Sequence, residues 1–275
     1  MTTRATAGFW AGVLTIWAGA PAPAPAPARA QTATGYRYTF TVTGDATDPA
    51  SGTTVAAGDR TRIDFDGKTD PQYVIVDNRT HTITLVYPDR REYSVVADTT
   101  FQRLVGAVLA ALPVVSVQLT GATVTDTTLG PGEPVAGHPT SRYEVVQDFT
   151  VSVGAFGFQA AGMHQRVTTE YWLARDLRLP ANPLVTILSQ VTTVLAQNDR
   201  DFAHRSAQAL RPVARGTPLK MVIHTDTRTG SASGTTSKTT VLQVTSIARA
   251  AVPLSAFEVP AGYTRKEPQL TGKLF

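Results

Sequence analysis

The segment "YRYTFTV" at 36–42 sets Tyr36, Tyr38, Phe40 and Val42 on one side of an extended chain and Arg37, Thr39 and Thr41 on the other. Successive side chains of a strand point to opposite faces, so this alternation describes a strand with one face against a core. The same period returns with Ile63 and Phe65, with Ile83, Leu85 and Tyr87, with Val167, Thr169, Tyr171 and Leu173, and with Leu219, Met221 and Ile223. Turn chemistry separates these runs. "DFDGK" and "VDNRTH" supply the Asp, Asn and Gly of tight hairpins, and "RTGSASGTTSK" reads as a flexible loop between two late strands. Sequential hairpins of this kind build an antiparallel meander of roughly ten strands with one face to water and one to a core.

The first thirty residues carry a different message. Arg4 precedes the apolar run "AGFWAGVLTIWAGA" at 7–20, and Ala28, Arg29 and Ala30 form a small-x-small site before Gln31. This is the layout of a cleavable signal peptide, with cleavage expected after Ala30 and a periplasmic or secreted product. The run ends at "PAPAPAPA", short of the about 20 apolar residues that a spanning helix needs, so no transmembrane segment is expected in the mature chain. Losing Arg4 and Arg29 leaves 23 basic against 21 acidic residues and a net charge of +2, which gives no basic face for nucleic acid. The chain has no cysteine, which excludes disulfides, thiol catalysis and thiolate metal sites. An exported chain without disulfides must bury a substantial core, and the roughly 245 residues at 31–275 suffice for one domain.

Three stretches depart from period two. At 99–112, Thr99 and Gln102 form a capping-box pair, and Phe101, Leu104, Val105, Val108, Leu109 and Leu112 recur at helical spacing up to Pro113. At 182–197, Leu184, Ile187, Leu188, Val191, Val194 and Leu195 form one stripe behind Pro183. A weaker segment, "DFAHRSAQAL", runs toward Pro212 with Phe202, Ala209 and Leu210 on one side and Ser206 between them. Burying the six large apolar residues of the first stretch represents on the order of 10 kcal/mol of gross stabilisation, so that helix needs a cover. The expected class is therefore α+β, a curved antiparallel sheet forming an incomplete barrel under two or three helices.

"GDRTRIDFDG", "YVIVDNRTHTITLVYPDRREYSVV", "VAGHPTSRYEV", "TEYWLARDLRLP", "GTPLKMVI" and "FEVPAGYTRKE" follow one another from about Tyr36 to Glu267. In that order they resemble a family of secreted bacterial proteins similar to the outer-membrane lipoprotein-sorting carriers of the LolA and LolB type. The resemblance implies a half-barrel closed by helices whose interior holds acyl chains, a lipid or lipoprotein acyl chain as partner, no cofactor and no catalytic residue. Thr140 stands where the resembled chains can carry a cysteine, so a turn pinned by that residue is not expected here.

The polar motifs do not assemble into chemistry. His81, His138, His164, His204 and His224 fall in separate segments with no HxH, HxxxH or HExxH spacing, so no metal site is expected. His224 and Asp226 share a strand face as a single pair. "TGSASG" has Ala232 where a nucleophile elbow needs serine, and Asp64, Asp66 and Asp70 lack the glutamate of a calcium loop. Asn78-Arg79-Thr80 reads as a hairpin turn. The expectation is a non-catalytic exported carrier for a lipid, acyl chain or other apolar ligand, with a wall of Tyr38 and Phe40 from the sheet, Phe101, Leu104, Val108 and Leu112 from the first helix, and Leu184, Leu188, Val191 and Leu195 from the second. The alternatives are a cavity-free structural or interaction module of the cell envelope and an exported hydrolase, which would need Asp64 or Glu170 beside a histidine.

Overall fold

The alternating segments form strands, and they do so at lengths the sequence did not announce. In the computed structural model the chain divides into two units, residues 1–30 and 31–275. The structure describes residues 31–45, 49–67, 69–97, 116–155, 158–159, 162–177, 179, 199–230 and 234–267, all within the second. Its strands are β1 (Thr32–Gly44), β2 (Ala50–Ala57), β3 (Arg60–Phe65), β4 (Tyr73–Asp77), β5 (Thr82–Tyr87), β6 (Glu92–Ala97), β7 (Ser116–Val135), β8 (His138–Ala155), β9 (Phe158–Gln159), β10 (Met163–Ala174), β11 (Thr217–Thr229), β12 (Thr235–Pro253) and β13 (Thr264–Arg265). Two helices, α1 (Arg200–Ala209) and α2 (Arg211–Arg215), sit between β10 and β11.

All strands belong to one open sheet, in the order β13-β6-β5-β4-β3-β2-β1-β12-β11-β10-β8-β7, with β9 beside β8. Every pair is antiparallel except β13 with β6. The β1–β12 pair joins the two halves of the sheet, and a register shift at Thr39/Phe40 bends it there. A second shift lies between β10 and β11 at Trp172/Leu173.

These observations correct the expected α+β class. The described chain is mostly β, and α1 is its single helix longer than seven residues. The physical reason is the reach of the strands: β7, β8 and β12 run 20, 18 and 19 residues on threonine and valine, whose branched side chains favour the pleated surface. The helical stripes at 99–112 and 182–197 lie outside the described residues. The weak third stretch does become a helix. Asp199 caps it by accepting from the Phe202 N–H at 2.9 Å, and Phe202, Ser206 and Ala209 are its buried residues.

One face of the sheet carries Phe40, Ile63, Tyr143, Val145, Tyr171, Met221 and Leu242, which pack with Ala209 and Val213 of the helix pair. The Phe202 ring meets Phe149 edge-on at 5.6 Å, and Ser206 accepts from Gln147 Nε2 at 3.1 Å, so the one polar residue on the buried side of α1 is satisfied. The opposite face differs between the halves. Across β8, β10 and β11 it is polar, with Asp148, His164, Arg166, Glu170, His224 and Asp226 in facing register. Across β2 to β5 it is covered, because the 3-10 turn at Leu254–Phe257 brings Phe257 onto Val55, Ala57, Tyr73, Ile75 and Val86. Strand β4 is accordingly buried at four successive residues, Tyr73 to Val76, the pattern of a strand covered on both sides.

Candidate functional site

The covered face is where the sheet brings the largest apolar side chains together, and β1 supplies its middle. Tyr38 and Phe40, the two sheet residues expected in a ligand wall, are both buried and point to this face. Gly52 stands opposite Phe40, and a Cβ there would come within 2.8 Å of the Phe40 ring and 2.3 Å of the Asp64 carbonyl oxygen. The glycine thus lets the ring lie across β2 and meet Phe65 edge-on at 6.3 Å. The other eight expected wall residues, Phe101, Leu104, Val108, Leu112, Leu184, Leu188, Val191 and Leu195, lie outside the described residues.

Register adds residues that periodicity alone did not group. Tyr171 faces Tyr143 on β8 and Met221 on β11, Met221 faces Leu242 on β12, and Leu242 faces Val42 on β1. Each was legible as a core position of its own strand. Their row across four strands follows only from pairings that join residues up to about 200 positions apart.

The electrostatics of this face are those of a neutral wall. Among the described residues the buried polar side chains are Thr, Ser and Gln, and none is Asp, Glu, Lys, Arg or His. Burial pushes the Tyr38 and Tyr171 phenols well above the usual tyrosine range, so both stay protonated. The Tyr143 phenol is held up by burial and by the Asp126 carboxylate, which lies 2.6 Å from its oxygen, while the Ala209 carbonyl lies 2.9 Å away on the other side. The Thr54 and Thr61 hydroxyls are buried on this face and meet no hydrogen-bond partner. Thr54 lies close enough to Tyr38 to ease its ionisation slightly, without reaching hydrogen-bond geometry.

The polar constellations are on the other face or at turns. His164 Nε2 lies 2.8 Å from Asp148, His138 Nδ1 2.9 Å from Asp176, and His224 Nε2 3.1 Å from Asp226. The His224–Asp226 pair is therefore real, yet Ser237 donates to Asp226 rather than to the imidazole, an order that activates no nucleophile. Asp64 pairs with Arg62 and Glu170 with Arg142, so neither acid stands beside a histidine. Asp66 accepts from Ser51, and Asp70 pairs with Arg90. Among the described residues no three metal-ligating side chains converge, and no helix is long and apolar enough to cross a membrane.

A buried tryptophan marks the polar face. Trp172 has Lys220 Nζ 4.4 Å and the Arg142 guanidinium 5.3 Å from its ring centre, and Gly132 leaves room for it, since a Cβ there would lie 2.9 Å from Trp172 Cδ1. Lys220 donates to Glu133 at 2.8 Å and lowers that carboxyl to about 2. Thr140, expected to leave its turn unpinned, donates to the Glu133 carbonyl at 2.7 Å and ties β8 to β7.

No protein-family model matches the chain, and a comparison with curated proteins finds no match.

Proposed function

We propose that this protein is a non-catalytic binder of an uncharged apolar molecule, an exported carrier for a lipid or acyl chain. The observation that carries the reading is the absence of any buried charge on a face that holds the fully buried hydroxyls Thr54 and Thr61 without partners. Removing an apolar ligand from water supplies the driving force, and a neutral hydroxyl or carbonyl on it would relieve the unpaired hydroxyls. A ligand carboxylate would have to be buried there without a cation, at a cost of several kcal/mol. The leader-like N-terminus supports an exported carrier.

A second reading has its own observation. Phe40, Ile63, Leu219, Met221 and Leu242 are each at most 1% exposed, the condition of a filled interior and of a structural module of the cell envelope. One experiment separates the two. The purified protein is extracted with organic solvent for mass spectrometry and titrated with a fluorescent monoacylglycerol and a fluorescent fatty acid. The carrier reading expects a co-purified neutral lipid and saturable binding of the monoacylglycerol; an empty extract with no binding of either probe leaves the structural module.

A further inference from the structure

The two ends of the sheet are finished differently. At one end β6 is covered by the two-residue β13, where the Thr264 and Lys266 N–H groups donate to the Arg91 and Tyr93 carbonyls. At the other, β7 pairs only with β8 among the described residues, and its outer backbone edge has no partner there. The ends of β7 are closed: the Arg205 guanidinium occupies the Ala122 carbonyl at 2.9 Å, and Pro131 and Pro134 interrupt the far side. Between them "TVTDTTL" at 123–129 is an open edge of β-branched residues with one acid and no lysine. All but Val124 are exposed, and Leu129 is the exposed large apolar side chain of the described surface. Natural sheets guard such edges with charge, proline or a cover.

We infer that β7 pairs with the β7 of a second copy, antiparallel and centred on Thr127, to continue the sheet through a two-fold axis. Charge and shape fix the centre. Pairing about Asp126, the middle of the open stretch, would oppose two carboxylates. Pairing about Thr125 would set Leu129 against Gly121 and place Thr128 at Ala122, whose carbonyl is already taken. Pairing about Thr127 instead places each Asp126 opposite a Thr128 hydroxyl and each Leu129 opposite a Thr125 methyl, and it ends where proline has no N–H to offer.

Because the chain has no cysteine, an introduced one reports the register alone. At the centre of an antiparallel pair the two Thr127 Cα atoms come about 4.5–5.5 Å apart, within disulfide reach. Two Thr125 positions would stand roughly 13 Å apart, four residues out of register. The full-length purified protein is expected to sediment as a concentration-dependent dimer. Thr127→Cys is expected to form a disulfide-linked dimer under mild oxidation, Thr125→Cys to remain monomeric on a non-reducing gel, and Thr127→Lys to lose the dimer with an unchanged melting temperature. A monomer at every concentration, equal cross-linking at 125 and 127, or a dimer that persists in a folded Thr127→Lys protein overturns the inference. Should Thr127→Lys fail to fold, the cysteine pair alone decides. Lipid binding is not involved in any arm.

Discussion

Tyr143 shows how one side chain joins the sheet to its helical cover. Its single phenolic hydrogen stands between two acceptors, the Asp126 carboxylate on β7 and the Ala209 carbonyl at the end of α1, so it serves one at a time or both weakly. Tyr143→Phe removes both links while keeping the ring in its cluster, and an expected loss of about 1–2 kcal/mol follows. Urea unfolding of the variant checks this, and an unchanged midpoint would mean that water replaces the hydroxyl. Tyr143 was legible as part of "SRYEV" in a strand; its partners were not, because Asp126 lies across a bulged pair and Ala209 lies 66 positions away. Thr140 makes the same point from the other side. A hydroxyl that looked like a missing tether holds Glu133 through a backbone carbonyl, a bond invisible until β7 and β8 are in register.

Among the elements, α1 is the one whose sequence signals and tertiary role agree. Its cap, its stop before Pro212 and its buried residues could all be read locally, since capping and i, i+4, i+7 spacing are properties of the helix itself. Asp199→Ala should cost about 1 kcal/mol through the lost cap. Phe202→Ala should cost about 3–5 kcal/mol, because the cavity against Phe149 cannot close around a fixed sheet. Equal effects of the two substitutions in thermal unfolding would contradict the packing of α1 on β8. The strands were less transparent. Alternation located β1, β3, β5, β10 and β11, whereas β4, covered on both faces, has no period to detect, and the lengths of β7 and β12 depend on partners that continue to pair with them.

At the scale of the whole molecule, the pH response separates buried from exposed groups. Burial raises the Tyr38 and Tyr171 phenols above their usual 10.0, so the folded state holds these protons more tightly than the unfolded chain. Their contribution is intact below about pH 10 and is lost as pH rises beyond it. Glu133 runs in the opposite sense. Lys220 lowers it to about 2 from an ordinary 4.5, so its contribution is present above the ordinary value and fades as pH falls toward 2. With half of the Glu133 side chain exposed, that acid limb is screened and shallow. Denaturation midpoints measured across pH should therefore fall more steeply on the alkaline side, and a flat response to about pH 11 would place the phenols in contact with water. The sequence alone determined the strand period, the turns, the capped helix and the neutral character of the inward side chains, because each is set by neighbours within a few residues. Which face is covered twice, which edge is left open, and that Phe40, Tyr171, Met221 and Leu242 form one wall were decided only by tertiary structure, because pairing between distant strands chooses who meets whom.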